Sequence, residues 1–373
     1  MTEFRFIHSS DLHLGRRFGR FPEDVRGPLA EARHSVLARL AAAARAHGAA
    51  HVLLAGDSFD TPTPSDRVLR QALNAMAEAA DVTWWLLPGN HDSAAGAEPL
   101  WDRIAAEAPA NVRPLRAAAP AALAPGVALL PAPVTRRAPG RDLTEALDGM
   151  ESPEGALRIG LAHGGVVDFA ETGASIPPDR DRRAGLDYLA LGDWHGRLAV
   201  SARIQYPGTP EQDRFRHGRR GVCLAVTLPG PGAAPEIAEV ETGVFLWREE
   251  ALALVPGADP AVALAGLLPE AGRREVLLRL RAEGRARLAE RAALVRAAEA
   301  AAPDFWHFEL LADALAVEPD AADLDAIDQG GALRRAADAL AAEAADEALD
   351  DAARRTAAAA LARLYAYVAE EAG

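Results

Sequence analysis

The 373-residue chain contains no lysine; all 40 of its basic residues are arginine. That absence removes a P-loop lysine, Schiff-base chemistry and any lysine general base. A single cysteine, Cys223, excludes an internal disulfide framework, a thiolate zinc site and a protein-ligated iron–sulfur cluster. Long apolar runs are missing too: the stretch around Val127 to Val134 is broken by proline and falls short of a membrane span. The opening MTEFRFIHSS has an acidic residue, no basic n-region and no apolar h-region, so no secretory signal and a cytoplasmic location are expected. Chemistry must therefore come from carboxylates, histidines, hydroxyls, arginines or metals. With 50% hydrophobic and 25% charged residues the chain can build a full core, and its length suggests two domains or one with an appendage. A net charge of −14 argues against coating nucleic acid by bulk charge, while leaving room for a local basic groove.

Up to about residue 235, short apolar runs alternate with alanine-rich helical stretches, which predicts an α/β layered sheet. Strands are expected at Phe4–His8, His51–Ala55, Val82–Leu87, Val127–Leu130, Leu157–Ala162, Tyr188–Leu191 and Val222–Thr227, with helices near Pro28–His47 and Arg67–Ala80. The proline and glycine around Pro229–Pro235 mark a domain boundary. Residues 236–320 then read as a small α+β module and 321–373 as an acidic, alanine-rich helical tail. That tail carries eleven acidic and five basic residues, a net of −6, and reads equally as a solvated face or a docking surface.

Five segments place a metal-ligand residue at or near the end of an expected strand. They are Asp11-Leu12-His13, Gly56-Asp57-Ser58-Phe59-Asp60, Gly89-Asn90-His91-Asp92, His163-Gly164-Gly165 and Gly192-Asp193-Trp194-His195. The carboxyl edge of an open α/β sheet is where ligands bind, and loops there converge although far apart in sequence. Each segment alone is no more than a turn; together and in order they are specific. A two-metal centre needs a carboxylate to bridge the ions and separate imidazole and oxygen ligands on each side, and such a pair activates water and stabilises a leaving oxygen at phosphorus. Mixed oxygen and imidazole ligation suits manganese, iron or zinc.

The order D-x-H, G-D-x-x-D, G-N-H-D, H-G and G-x-x-H resembles that of the calcineurin-like metallophosphoesterases. More narrowly, "FIHSSDLHLG", "AGDSFDT", "LLPGNHDS" and "YPGTPEQDRF" resemble the SbcD-type DNA repair exonucleases. The resemblance implies a metallophosphoesterase-type layered β-sandwich flanked by helices, followed by a capping and DNA-binding module and C-terminal helices. It implies two divalent ions, manganese first, with magnesium, iron or zinc as alternatives. Asp11, His13, Asp57 and His195 would hold one ion, and Asp57 would bridge to a second held by Asn90 and His163. His91 would stand beside the scissile phosphate with Asp92 orienting it. The family has histidine where this chain has Asp193, so an oxygen ligand is expected there in place of an imidazole.

Arginines gather beside these motifs, and residues 203–220 carry five against Glu211 and Asp213, a local charge of +3. Arg16, Arg17, Arg197, Arg214 and Arg216 are the candidates for contact with a phosphodiester backbone. The expected function is a binuclear metal-dependent DNA exonuclease or endonuclease. By resemblance it works with an SbcC-like coiled-coil ATPase, with a homodimer as a further expectation. A phosphatase or phosphodiesterase of small substrates, and a weakened DNA-end-binding subunit, are the alternatives.

Overall fold

In the computed structural model, residues 3–95, 99–166, 175–318, 321–328 and 330–371 are described. They divide into two compact units, one of residues up to 214 with 219–246, the other of 215–218 with 247 onward.

The first unit contains β1 (Phe4–Ser9), β2 (His51–Leu54), β3 (Thr83–Leu86), β4 (Val112–Pro114), β5 (Ala121–Ala124), β6 (Val127–Ala132), β7 (Leu157–His163), β8 (Tyr188–Gly192), β9 (Leu198–Ala199), β10 (Ile204–Tyr206), β11 (Val222–Leu228) and β12 (Glu236–Glu241). They form two six-stranded sheets, ordered β12-β11-β1-β2-β3-β4 and β5-β6-β7-β8-β10-β9. The strands β1 to β4 run parallel in the first sheet, as do β6, β7, β8 and β10 in the second.

Strand periodicity explains the layering. Successive side chains point to opposite faces, and here both faces find apolar partners. Phe6, Leu53, Trp85 and Leu224 of the first sheet share one core with Leu129, Ile159, Leu161, Tyr188 and Ala190 of the second. Their neighbours Ile7, Val52, Leu54, Trp84 and Leu86 point the other way, onto helices Val36–Ala46 and Asp66–Glu78. Leu130, Leu189, Leu191, Ile204 and Tyr206 face outward from the second sheet into a third core with Leu147, Met150 and Leu186. Burial on both faces is why these strands read as near-continuous hydrophobic runs. Each fully buried leucine, isoleucine or valine is worth about 1.5–3 kcal/mol relative to exposure. The architecture is mixed α/β, with the layered sheets flanked by helices that the sequence led one to expect.

Two boundaries differ from the sequence reading. The expected helix over residues 28–47 is two helices, Glu23–His34 and Val36–Ala46, meeting at Ser35. The turn Pro229–Pro235 is not a domain boundary but a hairpin connection: β12 pairs antiparallel with β11 from Val222↔Glu241 to Thr227↔Glu236. The first unit therefore continues to residue 246.

In the second unit, β14 (Val276–Ala286) lies between β13 (Leu246–Leu254) and β15 (His307–Leu311), and β16 (Leu315–Val317) also pairs with β14. The helices of the acidic tail are not a separate body. Ile327, Ala337 and Leu361 close one apolar cluster with Leu288 of the helix Leu288–Ala301. No helix among the described residues is long and apolar enough to cross a membrane.

Candidate metal centre

Every candidate ligand lies at or just beyond the carboxyl end of a parallel strand: β1 leads to Asp11 and His13, β2 to Asp57, β3 to Asn90 and His91, β7 ends on His163, and β8 leads to Asp193 and His195. The first two loops are zipped together by backbone hydrogen bonds from Asp11 N to Gly56 O (3.1 Å), His13 N to Asp57 O (3.0 Å) and Leu14 N to Ser58 O (2.9 Å). Asp11, His13, Asp57 and Asp193 have φ of +54°, +45°, +53° and +102°. Phe18 is the one other non-glycine residue with positive φ among the described residues. Such conformations cost of order 1–3 kcal/mol each and persist where the surroundings impose them. Two glycines make the close approach possible. A Cβ on Gly56, itself at φ +90°, would stand 2.2 Å from His163 Nδ1, and one on Gly89 would stand 2.1 Å from Asp57 Oδ1.

The side chains form two groups around one oxygen. On one side, His13 Nε2 and His195 Nε2 are 3.2 Å apart and lie 3.9 and 3.7 Å from Asp11 Oδ1. On the other, His163 Nε2 lies 3.7 Å from Asp193 Oδ1. Asp57 Oδ2 is 3.7 Å from His13 Nε2 and 3.5 Å from His163 Nε2. Asn90 donates to Asp193 Oδ1 at 3.3 Å. His163 Nδ1 is 2.8 Å from the Ala55 carbonyl, an acceptor that keeps a proton on Nδ1 and turns Nε2 inward.

These atoms are short of partners. Asp11 Oδ1, Asn90 Oδ1 and His163 Nε2 are buried and have no hydrogen-bond partner among the described residues. Unpaired polar atoms in a buried site cost free energy unless something binds them. Carboxylate, imidazole and amide donors converging in this way fit divalent cations. The charges are strongly perturbed. Burial drives Asp57 well above the usual carboxylate range, with Asp92 and Asp11 adding to it, and burial also raises Asp193. Burial opposes the charged form of Asp11, but the imidazoles of His195, His163 and His13 outweigh it and hold this carboxyl below its ordinary value. Burial likewise opposes a proton on His163, yet Asp57, Asp11 and Asp193 raise it to about 9. His13 is lowered by burial to about 4. Perturbed pairs of this kind mark a functional site.

Residues 4–185 match the model of the calcineurin-like phosphoesterase family. That stretch is similar to the calcineurin-like phosphoesterases. The family together with the aspartate–histidine clusters supports a metal-dependent phosphoesterase. No curated protein matches the chain. Among solved structures, that of TT1561 of Thermus thermophilus is similar at 12% identity with a TM-score of 0.39, covering 64% of this chain and 99% of that one.

Several expected residues sit differently from their sequence reading. The Asp92 carboxylate accepts from the backbone N–H of Gly89 (2.7 Å) and Phe59 (3.0 Å), bracing the loop. His91 Nδ1 lies 3.0 Å from the Asp60 carbonyl. Arg197 is paired with Glu239 at 2.9 Å and donates to Tyr206 O, and Arg16 is paired with Asp213 and Asp60. Arg214 packs against Asp213 and His195. Arg17 is exposed, and Arg216 belongs to the second unit. The sequence reading missed the supporting carboxylate Asp213, 3.1 Å from His195 Nδ1 and held well below the usual range despite burial by His195, Arg33 and Arg16. It also missed Arg33, fully buried, which donates to Leu12 O (2.6 Å) and Glu211 O (2.8 Å) and ties the first loop to the segment after the last histidine. No local pattern marks either residue; the hint was the "TPEQDRF" segment itself.

Proposed function

We propose that this protein is a binuclear metal-dependent nuclease of the SbcD-like DNA repair class, hydrolysing phosphodiester bonds in the cytoplasm. The observation that carries the binuclear reading is Asp57 Oδ2, shared at 3.7 and 3.5 Å by an imidazole of each group. The narrower DNA reading draws on the segment 206–215. Its Thr209 hydroxyl lies 2.9 Å from the Asp11 carbonyl, and its Asp213 lies against His195. Asp11, His13 and His195 would hold one divalent ion, Asn90, His163 and Asp193 the other, with Asp57 between. Bound ions would supply Lewis-acid polarisation of the phosphoryl oxygen and a water activated at neutral pH. With Nδ1 donating to the Ala55 carbonyl, His163 would offer Nε2 to an ion, which would displace the proton there. His91, partly exposed beside the site, protonates or stabilises the leaving oxygen. An SbcC-like coiled-coil ATPase and a second copy of the chain are the partners this reading carries with it.

A small phosphoester is the second reading, favoured by one observation: Arg16 and Arg197, two of the arginines expected to contact a phosphate backbone, are occupied by carboxylates. Labelled single- and double-stranded DNA with manganese, beside a chromogenic phosphodiester, separates the two. Cleavage of DNA is the expected result; turnover of the small ester alone would sink the nuclease reading.

Asp193 supplies a further expected outcome. Replacing a neutral imidazole with a carboxylate enriches the second position in oxygen and favours manganese or magnesium over zinc. Asp193→Ala should weaken one site by about 10-fold or more, while Asp193→His should keep two ions and change which one best supports turnover. Metal titration with an activity readout checks both. Wild-type affinity and preference in both variants would place Asp193 outside the ligand set and favour the weakened-subunit reading.

A further inference from the structure

We infer that Arg16 is a positioning residue for one candidate metal position, acting through the carboxylates behind His13 and His195; this rests on the binuclear reading above. The two imidazoles present their Nε2 atoms to each other at 3.2 Å. Each outer nitrogen has a carboxylate beside it: His195 Nδ1 lies 3.1 Å from Asp213 Oδ2, and His13 Nδ1 lies 3.3 Å from Asp60 Oδ1, at ion-pair distance but outside hydrogen-bond geometry. One atom closes the circuit. Arg16 Nη1 is 3.0 Å from Asp213 Oδ2 and 3.5 Å from Asp60 Oδ1.

The arrangement follows from charge. A carboxylate on the outer nitrogen of a ligating histidine fixes its tautomer, turns its ring and makes the inner nitrogen more basic. Two such carboxylates at the same site repel each other, and Asp213 is wholly shielded from water. A guanidinium between them cancels the repulsion and sets their separation, which a planar fork does better than a flexible ammonium. The loop is shaped to hold Arg16 there. Its backbone N–H donates to His13 O at 3.2 Å, and its guanidinium lies 5.9 Å from the ring of Phe18, one of the residues at positive φ. Removing Arg16 would not orphan Asp213, because Arg214 Nε stays 3.0 Å from that carboxylate. The fold should survive while the two imidazoles lose their common reference.

A phosphate-contacting arginine and a positioning arginine fail differently, and the full-length chain can tell them apart. Manganese content after gel filtration and manganese affinity by calorimetry are measured for wild type, Arg16→Ala and Arg16→Lys. Duplex oligonucleotide affinity is measured in chelator across a salt series, and a thermal melt reports folding. Arg16→Ala should lose about 10- to 100-fold in affinity at one of two manganese sites, melt as a folded protein and bind the oligonucleotide within twofold of wild type. Arg16→Lys should recover part of the manganese affinity. Unchanged manganese affinity in Arg16→Ala overturns the inference, as does an oligonucleotide salt slope reduced by about 1 with both ions retained. A wild-type protein that binds no manganese overturns the binuclear reading and this inference with it.

Discussion

Asp57→Ala is expected to abolish turnover and to leave the protein with well below its wild-type metal content. Oδ2 of this residue is the atom common to both groups of ligands, and Oδ1 accepts the His91 backbone N–H at 2.8 Å. Lewis-acid stabilisation is worth several kcal/mol, which at 1.36 kcal/mol per decade is about 10³-fold in rate or more. The same variant should not unfold. Burial raises Asp57 well above the ordinary carboxylate range, so the folded metal-free protein binds a proton that the unfolded chain releases earlier. Stability then falls as pH rises from the ordinary carboxylate value through the raised one. Removing the acid removes that loss, and chelator-treated Asp57→Ala should melt no lower than chelator-treated wild type at neutral pH. Elemental analysis, activity and melting together check this. Unchanged metal content would show that Asp57 does not bridge.

His91→Ala should be the other severe variant, losing about 10²–10⁴-fold in kcat, the range for removal of a positioned acid or base. Its metal content and KM should change little, because an interaction made mainly in the transition state is removed. Alanine keeps the backbone N–H that His91 gives to Asp57 Oδ1, so the bridging carboxylate stays where it is. The imidazole meets its neighbours edge-on, 4.7 Å from the ring of His13, and its Nδ1 proton has the Asp60 carbonyl at 3.0 Å as acceptor. That leaves Nε2 to carry or give up a proton. If the variant lost its metals along with its activity, His91 would be a ligand, a role within reach since His13, Asp60 and His91 also approach one another closely.

What could be read from the residues was what repeats locally. Strands β1, β2, β3, β7 and β8 announce themselves as largely apolar runs that lead into Asp, Asn, His or Gly, because their side chains find cores on both faces. Their ends then put the ligands on one edge. The strand Glu236–Glu241 gave no such signal: its half-covered Ile237 and Val240 face opposite cores, and its other residues are exposed, as befits the edge of a sheet. Asp213 and Arg33 were invisible for a different reason. Their roles depend on contacts across 18 residues to His195 and 178 residues to Glu211, and no spacing rule reaches that far. Asp92, which the family resemblance would set to orient His91, has its carboxylate on two backbone N–H groups, a contact no local pattern announces.

The left-handed backbone at Asp11 and Asp57 also narrows how this site can change over generations. At φ near +54°, glycine, asparagine and aspartate are the residues that fit at little cost, and only aspartate brings an anion. Glutamate, the obvious chemical substitute, is disfavoured by conformation before its length matters, and β-branched residues are worse. Drift at these positions therefore runs downhill in charge, from aspartate to asparagine to glycine, with the fold intact at each step. A descendant that has given up catalysis should still carry the loops, with Asn or Gly where the carboxylates had been.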